Sequence, residues 1–151
     1  MDKIDWKIIE ILQKNARITI TQLSRKVHLT SPSVSERILK MEEKGIISGY
    51  TAKLNLEQLG YHIISFAKID VVRKQEEKFI EFCRLQDEII ECYIVTGENS
   101  FLVKIGAPNI EALEFYLKKI SDFGQTHTQS QIVLQEIFKD KIFSRQLNEI
   151  V

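Results

Sequence analysis

Between Ile18 and Leu54 the chain switches from helical to extended patterning, and each switch is marked by a residue that starts or stops a helix. Leu23 and Val27 stand four apart, which puts them on one side of a short helix and leaves Arg25 and Lys26 on the other. Thr19 or Thr21 is placed to accept the free amides at the start of that helix. After His28 and Leu29, Thr30 or Ser31 offers the next cap, and Pro32 falls in the first turn, where its missing N–H costs nothing. The helix starting near Pro32 turns Val34, Ile38 and Met41 inward and leaves Ser33, Ser35, Arg37, Lys40 and Lys44 outward or flanking, until Gly45 stops it. An earlier helix, with Ile4, Ile8, Ile11 and Leu12 inward, ends at Asn15 to Arg17. Ile46, Ile47, Tyr50, Ala52 and Leu54, punctuated by Gly45 and Gly49, give a β-arm. Helix, helix, turn, helix and arm in this order make a winged helix-turn-helix over residues 1–50.

That layout suits the DNA major groove. Small hydroxyl side chains at the start of a recognition helix permit close approach to base edges, and the helix N-terminus donates to phosphate. Longer basic side chains reach the backbone. The expected contacts with double-stranded DNA are therefore Arg25, Lys26, Thr30, Ser31, Ser33, Ser35, Arg37 and Lys40.

Charge supports a division of labour. The net formal charge is zero, but residues 1–55 hold 10 Lys/Arg against 6 Asp/Glu, while the rest hold 11 against 15. A basic first part beside an acidic second part fits a DNA reader joined to a domain that stays off DNA. No apolar run approaches the roughly 18 residues that span a bilayer, and no signal peptide is visible, so the expectation is a cytoplasmic protein without a membrane partner. Cys83 and Cys92 are the only cysteines, and no His cluster has metal-ligand spacing. The chain calls for no metal and no cofactor.

The second half changes to a strand-helix-strand-strand-helix-strand pattern after a β-arm and linker over residues 51–61. His62 to Val72 is the first strand and Gln75 to Leu85 a helix with Phe79, Phe82 and Cys83 inward. Ile89 to Thr96 and Phe101 to Ala107 form a hairpin across Gly97 to Ser100; Asn109 caps a helix through Ile120, and Thr126 to Phe138 closes the sheet. This βαββαβ order over residues 62–151 predicts a ferredoxin-like domain, giving an α+β protein overall. Both helices lie on one sheet face in that topology. The other face, with residues such as Ile64, Phe66, Ile94 and Leu134, then needs a partner, and a second copy supplies one.

The segments Ile4-Asp5, Leu23-Ser24-Arg25-Lys26-Val27, Glu36-Arg37-Ile38 and Gly45-Ile46-Ile47-Ser48-Gly49-Tyr50-Thr51-Ala52, followed by the βαββαβ half, resemble the Lrp/AsnC family of bacterial and archaeal regulators. The resemblance implies a transcription factor that dimerises through its C-terminal sheets, assembles into tetramers or octamers, and responds to a free amino acid bound between dimers. It places a ligand site at Gly97, Glu98, Asn99 and Ser100, with Thr126 and Thr128 nearby. The chain departs from the family there: Ser100 stands where the family has an Asp, a carboxylate suited to an ammonium group.

That departure leaves a second reading standing, an architectural protein that wraps or bridges DNA without a small effector. A third follows from enzymes of the same two-domain architecture that decarboxylate tetrapyrroles using His and Arg. The histidines here, His28, His62 and His127, fall at a turn, a strand start and a strand, and no nucleophile-base motif or phosphate loop accompanies them.

Overall fold

The computed structural model describes residues 1–97 and 100–144, and of 124–127 the backbone alone. It divides into two compact units, Met1–Lys53 joined by the chain from Phe138 onward, and Leu54–Ile137.

Three helices make the first unit, each opened by a side-chain cap. α1 is Lys3–Lys14: Asp2 Oδ1 accepts from the amides of Ile4 and Asp5 at 2.8 and 2.9 Å, and Asp5 Oδ2 accepts from the Asp2 amide at 2.8 Å. α2 is Ile20–Val27, capped by Thr19, whose hydroxyl accepts from the Gln22 amide at 3.2 Å. It ends on His28 in the left-handed region, φ 56°. α3 is Ser31–Glu43, capped by Thr30. Ile8, Leu23, Val27, Val34, Ile38 and Met41 form the core between them.

The expected β-arm does not form a strand. Past Gly45 the amides of Ile46 and Ile47 return to the Met41 carbonyl at 2.9 and 3.2 Å, and the Tyr50 hydroxyl donates to Glu42 at 2.8 Å. Beyond that, residues 48–55 have no neighbouring strand among the described residues, and an extended segment is a strand only where a partner takes its amides. Residues 138–144 fall in this compact unit. Both polar atoms of the Gln13 side-chain amide bond the backbone of Phe143, at 2.9 Å each, as a neighbouring strand would.

The second unit is β1 (Ile63–Val71), α4 (Glu76–Leu85), β2 (Ile89–Ile94), β3 (Phe101–Ala107), α5 (Ile110–Ser121) and β4 (Gly124–Ile132). The sheet order is β2-β3-β1-β4 with every pair antiparallel, the ferredoxin-like arrangement. Ala67, Ile69, Phe101, Val103 and Ile105 on one face pack against Phe79 and Cys83 of α4 and Leu113 and Ile120 of α5. Phe79 anchors this core, with ring centroids 4.9 Å from Phe101 and 5.6 Å from Phe123. The opposite face carries the alternate residues: Ile64, Phe66 and Lys68 lie opposite Gly106, Lys104 and Leu102. Lys104 there is 7% exposed, 2.9 Å from Glu91 Oε1 and 5.9 Å from the Phe66 ring centroid.

Two residues expected on that open face lie elsewhere. Ile94 pairs with Phe101 and so points to the helix side, exposed only because β2 is the sheet edge. Leu134 lies past the end of β4, which stops at Ile132 instead of Phe138. The Val133 amide donates to the Ile64 carbonyl at 2.8 Å, and β1, which begins at Ile63, offers nothing further to pair with.

Candidate nucleic-acid interface

The outer half of α3 has two flanks. Ser33, Arg37, Lys40 and Lys44 follow one another at helical spacing and, with Glu36, line a cavity of about 270 Å³ completed by residues of α1's N-terminal end. Ser35 and Leu39 lie exposed on the other flank.

The expected contact residues sort by what already holds them. Thr30 and Ser31 build the turn: Thr30 Oγ1 faces the Ser33 amide at 3.4 Å, and the Ser31 hydroxyl lies 3.3 Å from that of Ser24. Because Ser24 donates to the Thr21 carbonyl at 3.0 Å, Ser31 is the donor of that hydroxyl pair, which fixes α2 against the start of α3. Arg25, Lys26, Ser35 and Lys40 are exposed, and Ser33 is half-buried. Lys40 Nζ is 2.6 Å from Glu36 Oε1, one turn back, and this bond holds the Glu36 carboxyl below its usual range.

Arg37 stands apart. Its Nη1 donates to Asp2 Oδ2 and to Asp5 Oδ1, both at 2.7 Å, with its side chain 28% exposed. The Asp5 amide first, and then the Arg37 guanidinium, hold the Asp2 carboxyl below the ordinary carboxylate range. Sequence reasoning missed Asp2 and Asp5 as partners, although an Asp-x-x-Asp pair ahead of an apolar helix is a capping-box signal.

The hairpin site is more dispersed. Gly97 sits at φ 116°, open to glycine more readily than to other residues, while Glu98 and Asn99 lie outside the described residues. The Val95 amide donates to the Ser100 carbonyl at 3.0 Å and closes the turn. The Ser100 hydroxyl donates to Asp70 Oδ1 at 3.0 Å, so a carboxylate from β1 meets the hairpin position that lacks one. Asp70 was not singled out from the sequence. Asp70 follows Ile69, which faces the helices, and therefore lies on the open face; Thr128 pairs with Ile69 and lies on the helix side. Ser100 and Thr128 are thus not brought to one face, and the Thr126 side chain lies outside the described residues.

Residues 1–48 match the winged helix-turn-helix DNA-binding family model, and residues 64–143 match the Lrp/AsnC ligand binding domain. The chain belongs to the Lrp/AsnC family. Among its relatives, this Lrp/AsnC regulator is 34% identical to the HTH-type transcriptional regulator LrpC of Bacillus subtilis, over 91% of this chain and 94% of that one. The solved LrpC structure superposes with a TM-score of 0.86 at 33% identity, covering 91% of this chain and 97% of the other. A transcriptional regulator from Neisseria meningitidis, solved in complex with L-methionine, superposes with a TM-score of 0.88 at 28% identity, covering 100% and 99%. The leucine-responsive regulatory protein of Escherichia coli is 32% identical over 91% of this chain and 87% of its own. The matched families and relatives are DNA-binding transcriptional regulators and not enzymes, which removes the tetrapyrrole decarboxylase reading.

Proposed function

We propose that this regulator works as a homo-oligomer that reads duplex DNA with α3 and changes its grip when a free amino acid occupies the Leu54–Ile137 unit. The observation that carries the DNA half is the outer half of α3, where Ser33, Ser35 and Lys40 stand clear of the core beside Arg25 and Lys26 of α2. Thr30 and Ser31 place the amides of the helix N-terminus, a donor set suited to phosphate.

Self-association is supported by the open sheet face, where Phe66 and Leu102 are half-buried and Tyr93 is 49% exposed. The unpaired segment carrying Tyr50 and Leu54, 51% and 66% exposed, adds apolar surface of the same kind. Amino-acid binding is supported by the ligand-domain match and by the methionine complex of the Neisseria neighbour, with Gly97, Ser100 and Asp70 as the local polar groups. Such a regulator acts beside the chromosome in the cytoplasm; among the described residues no helix is long and apolar enough to cross a membrane.

The test is light-scattering mass and thermal melting across the twenty amino acids, followed by DNA footprinting. One ligand that raises the melting temperature and shifts the mass is the expected result. A monomer throughout would refute the oligomer. A flat response, with protection spreading over any DNA sequence, would replace the amino-acid reading with an architectural one.

A further inference from the structure

The capping box of α1 is built so that each carboxylate keeps one oxygen for the helix and turns the other outward. Asp2 Oδ1 holds the amides of Ile4 and Asp5, and Asp5 Oδ2 holds the amide of Asp2. Asp2 Oδ2 and Asp5 Oδ1 converge on a single nitrogen, Arg37 Nη1, at 2.7 Å each. Arg37 sits midway along α3, one turn after Ser33 and one turn before Lys40.

We infer that Arg37 is a positioning residue for DNA recognition: its guanidinium pins α3 to the capping box of α1 and sets the angle at which Ser33 and Lys40 meet the duplex, without itself binding phosphate. The inference rests on α3 being the DNA-reading helix. Three physical points support it. The core contact between α1 and α3, through Ile8, Val34, Ile38 and Met41, is apolar and non-directional, so it resists separation better than sliding or rolling. Charge-assisted bonds to two fixed oxygens are directional and supply the missing constraint.

Second, the bonds are hard to exchange. A phosphate taking Arg37 would have to displace two carboxylates that backbone amides hold in place, leaving like charges side by side and facing the DNA. The Lys40–Glu36 pair is the opposite case: both side chains lie on one helix, 60% and 65% exposed, and a phosphate replaces Glu36 at little cost. Third, although Asp2 is 51% exposed, Asp5 is only 15% exposed, so the Arg37–Asp5 bond is shielded from competing ions more than a surface pair is.

The test uses the full chain and a labelled mixed-sequence duplex of about 30 base pairs, with binding measured over a range of salt concentrations. The variants are Arg37→Gln, Asp5→Asn, their combination, Arg37→Lys, and Lys40→Ala as a reporter on α3. Arg37→Gln weakens binding roughly tenfold while leaving the slope of log K against log[salt] unchanged. Asp5→Asn weakens it too, although it removes negative charge from the DNA side, and the combination is no weaker than Arg37→Gln alone. Arg37→Lys, which keeps the charge on a shorter and less rigid side chain, restores part of the loss. The deficits persist unchanged at two temperatures well below the melting transition, which a merely destabilised fold would not show. Should Arg37→Gln fold poorly, Asp5→Asn and Arg37→Lys carry the same comparison.

A fall in slope of about 0.9 on Arg37→Gln, or tighter binding by Asp5→Asn, would make Arg37 a phosphate contact and overturn the inference. Lys40→Ala is expected to lower the slope by about 0.9; if it changes nothing, the reading of α3 as the recognition helix falls, and the positioning role with it.

Discussion

Gly106→Ala tests how the second unit is closed at the start of β1. Gly106 faces the open side of the sheet, opposite Ile64, and the Tyr61 ring lies over it. A Cβ at this position would stand 2.8 Å from Tyr61 Cδ1 and 3.0 Å from Ile90 Cδ1, against the roughly 3.5–4.0 Å at which carbon atoms attract. Overpacking of this kind costs about 1–3 kcal/mol. Relief is available, because the Tyr61 hydroxyl reaches only to 3.5 Å from the Asp87 carbonyl, too long to hold the ring. Alanine also removes some of glycine's unfolded-state freedom, worth about 0.5–1 kcal/mol. The net expectation is a loss of about 1 kcal/mol, a fall in melting temperature of about 4–8 °C for a domain of this size. Urea unfolding followed by circular dichroism, with the denaturant slope unchanged, measures it. In a Tyr61→Ala background the same substitution becomes neutral or stabilising. An equal loss in both backgrounds would refute the Tyr61 clash as its cause.

Ser33→Asp places a carboxylate on the flank of α3 and abolishes DNA binding with an unchanged circular dichroism spectrum; retained binding would take that flank out of the interface. Phe79→Ala empties the centre of an aromatic cluster and costs about 3–5 kcal/mol, and a loss below 1 kcal/mol in chemical denaturation would mean the core refills. The Cys92 thiol, exposed on β2, is held below the ordinary thiol range by a hydrogen bond from Cys83, whose own thiol is pushed up by the same bond and by burial. Alkylation of Cys92 therefore reaches half its maximal rate below the free-thiol value of about 8.5, while Cys83→Ala, which leaves no donor, returns it upward; a profile insensitive to Cys83 would remove that bond.

Local signals carried most of the fold into view. Thr19 and Thr30 are legible as caps because a cap reaches only to amides within the next turn, and the inward spacing of Val34, Ile38 and Met41 needs nothing beyond α3 itself. The βαββαβ order follows from alternating periodicities, and the sheet order confirms the fold class. The features that escaped are those decided by distant chain. Arg37 looks like any outward cation until its partners, 35 and 32 residues away, are brought to it. Asp70 meets Ser100 across 30 residues, and Gln13 meets Phe143 across 130. The arm after Gly49 has strand-forming residues and glycine punctuation, but a strand is a property of two segments, and among the described residues the second is missing.

The same distinction changes what the charge on the DNA-binding unit is worth. Counting residues gives the first 55 positions a surplus of four positive charges, yet a cation contributes to the salt dependence of DNA binding only if it can trade counterions for phosphate. Arg25, Lys26 and Lys44 make no ion pair among the described residues, and Lys40 holds one exposed, exchangeable pair. Arg37 is committed to Asp2 and Asp5. Where α2, α3 and the Lys44 that ends α3 make all the phosphate contacts, with Lys3, Lys7 and Arg17 of α1 and its turn off the duplex, these four cations set the count, and the slope of log K against log[salt] should be no steeper than about −3.6 per DNA-bound protomer. Adding Arg37 would bring it to about −4.5, a difference that a salt titration of the wild-type protein resolves without any substitution. A slope at the steeper value would mean that DNA wins Arg37 from its carboxylates, and the angle of α3 would then be set by the duplex and not by α1.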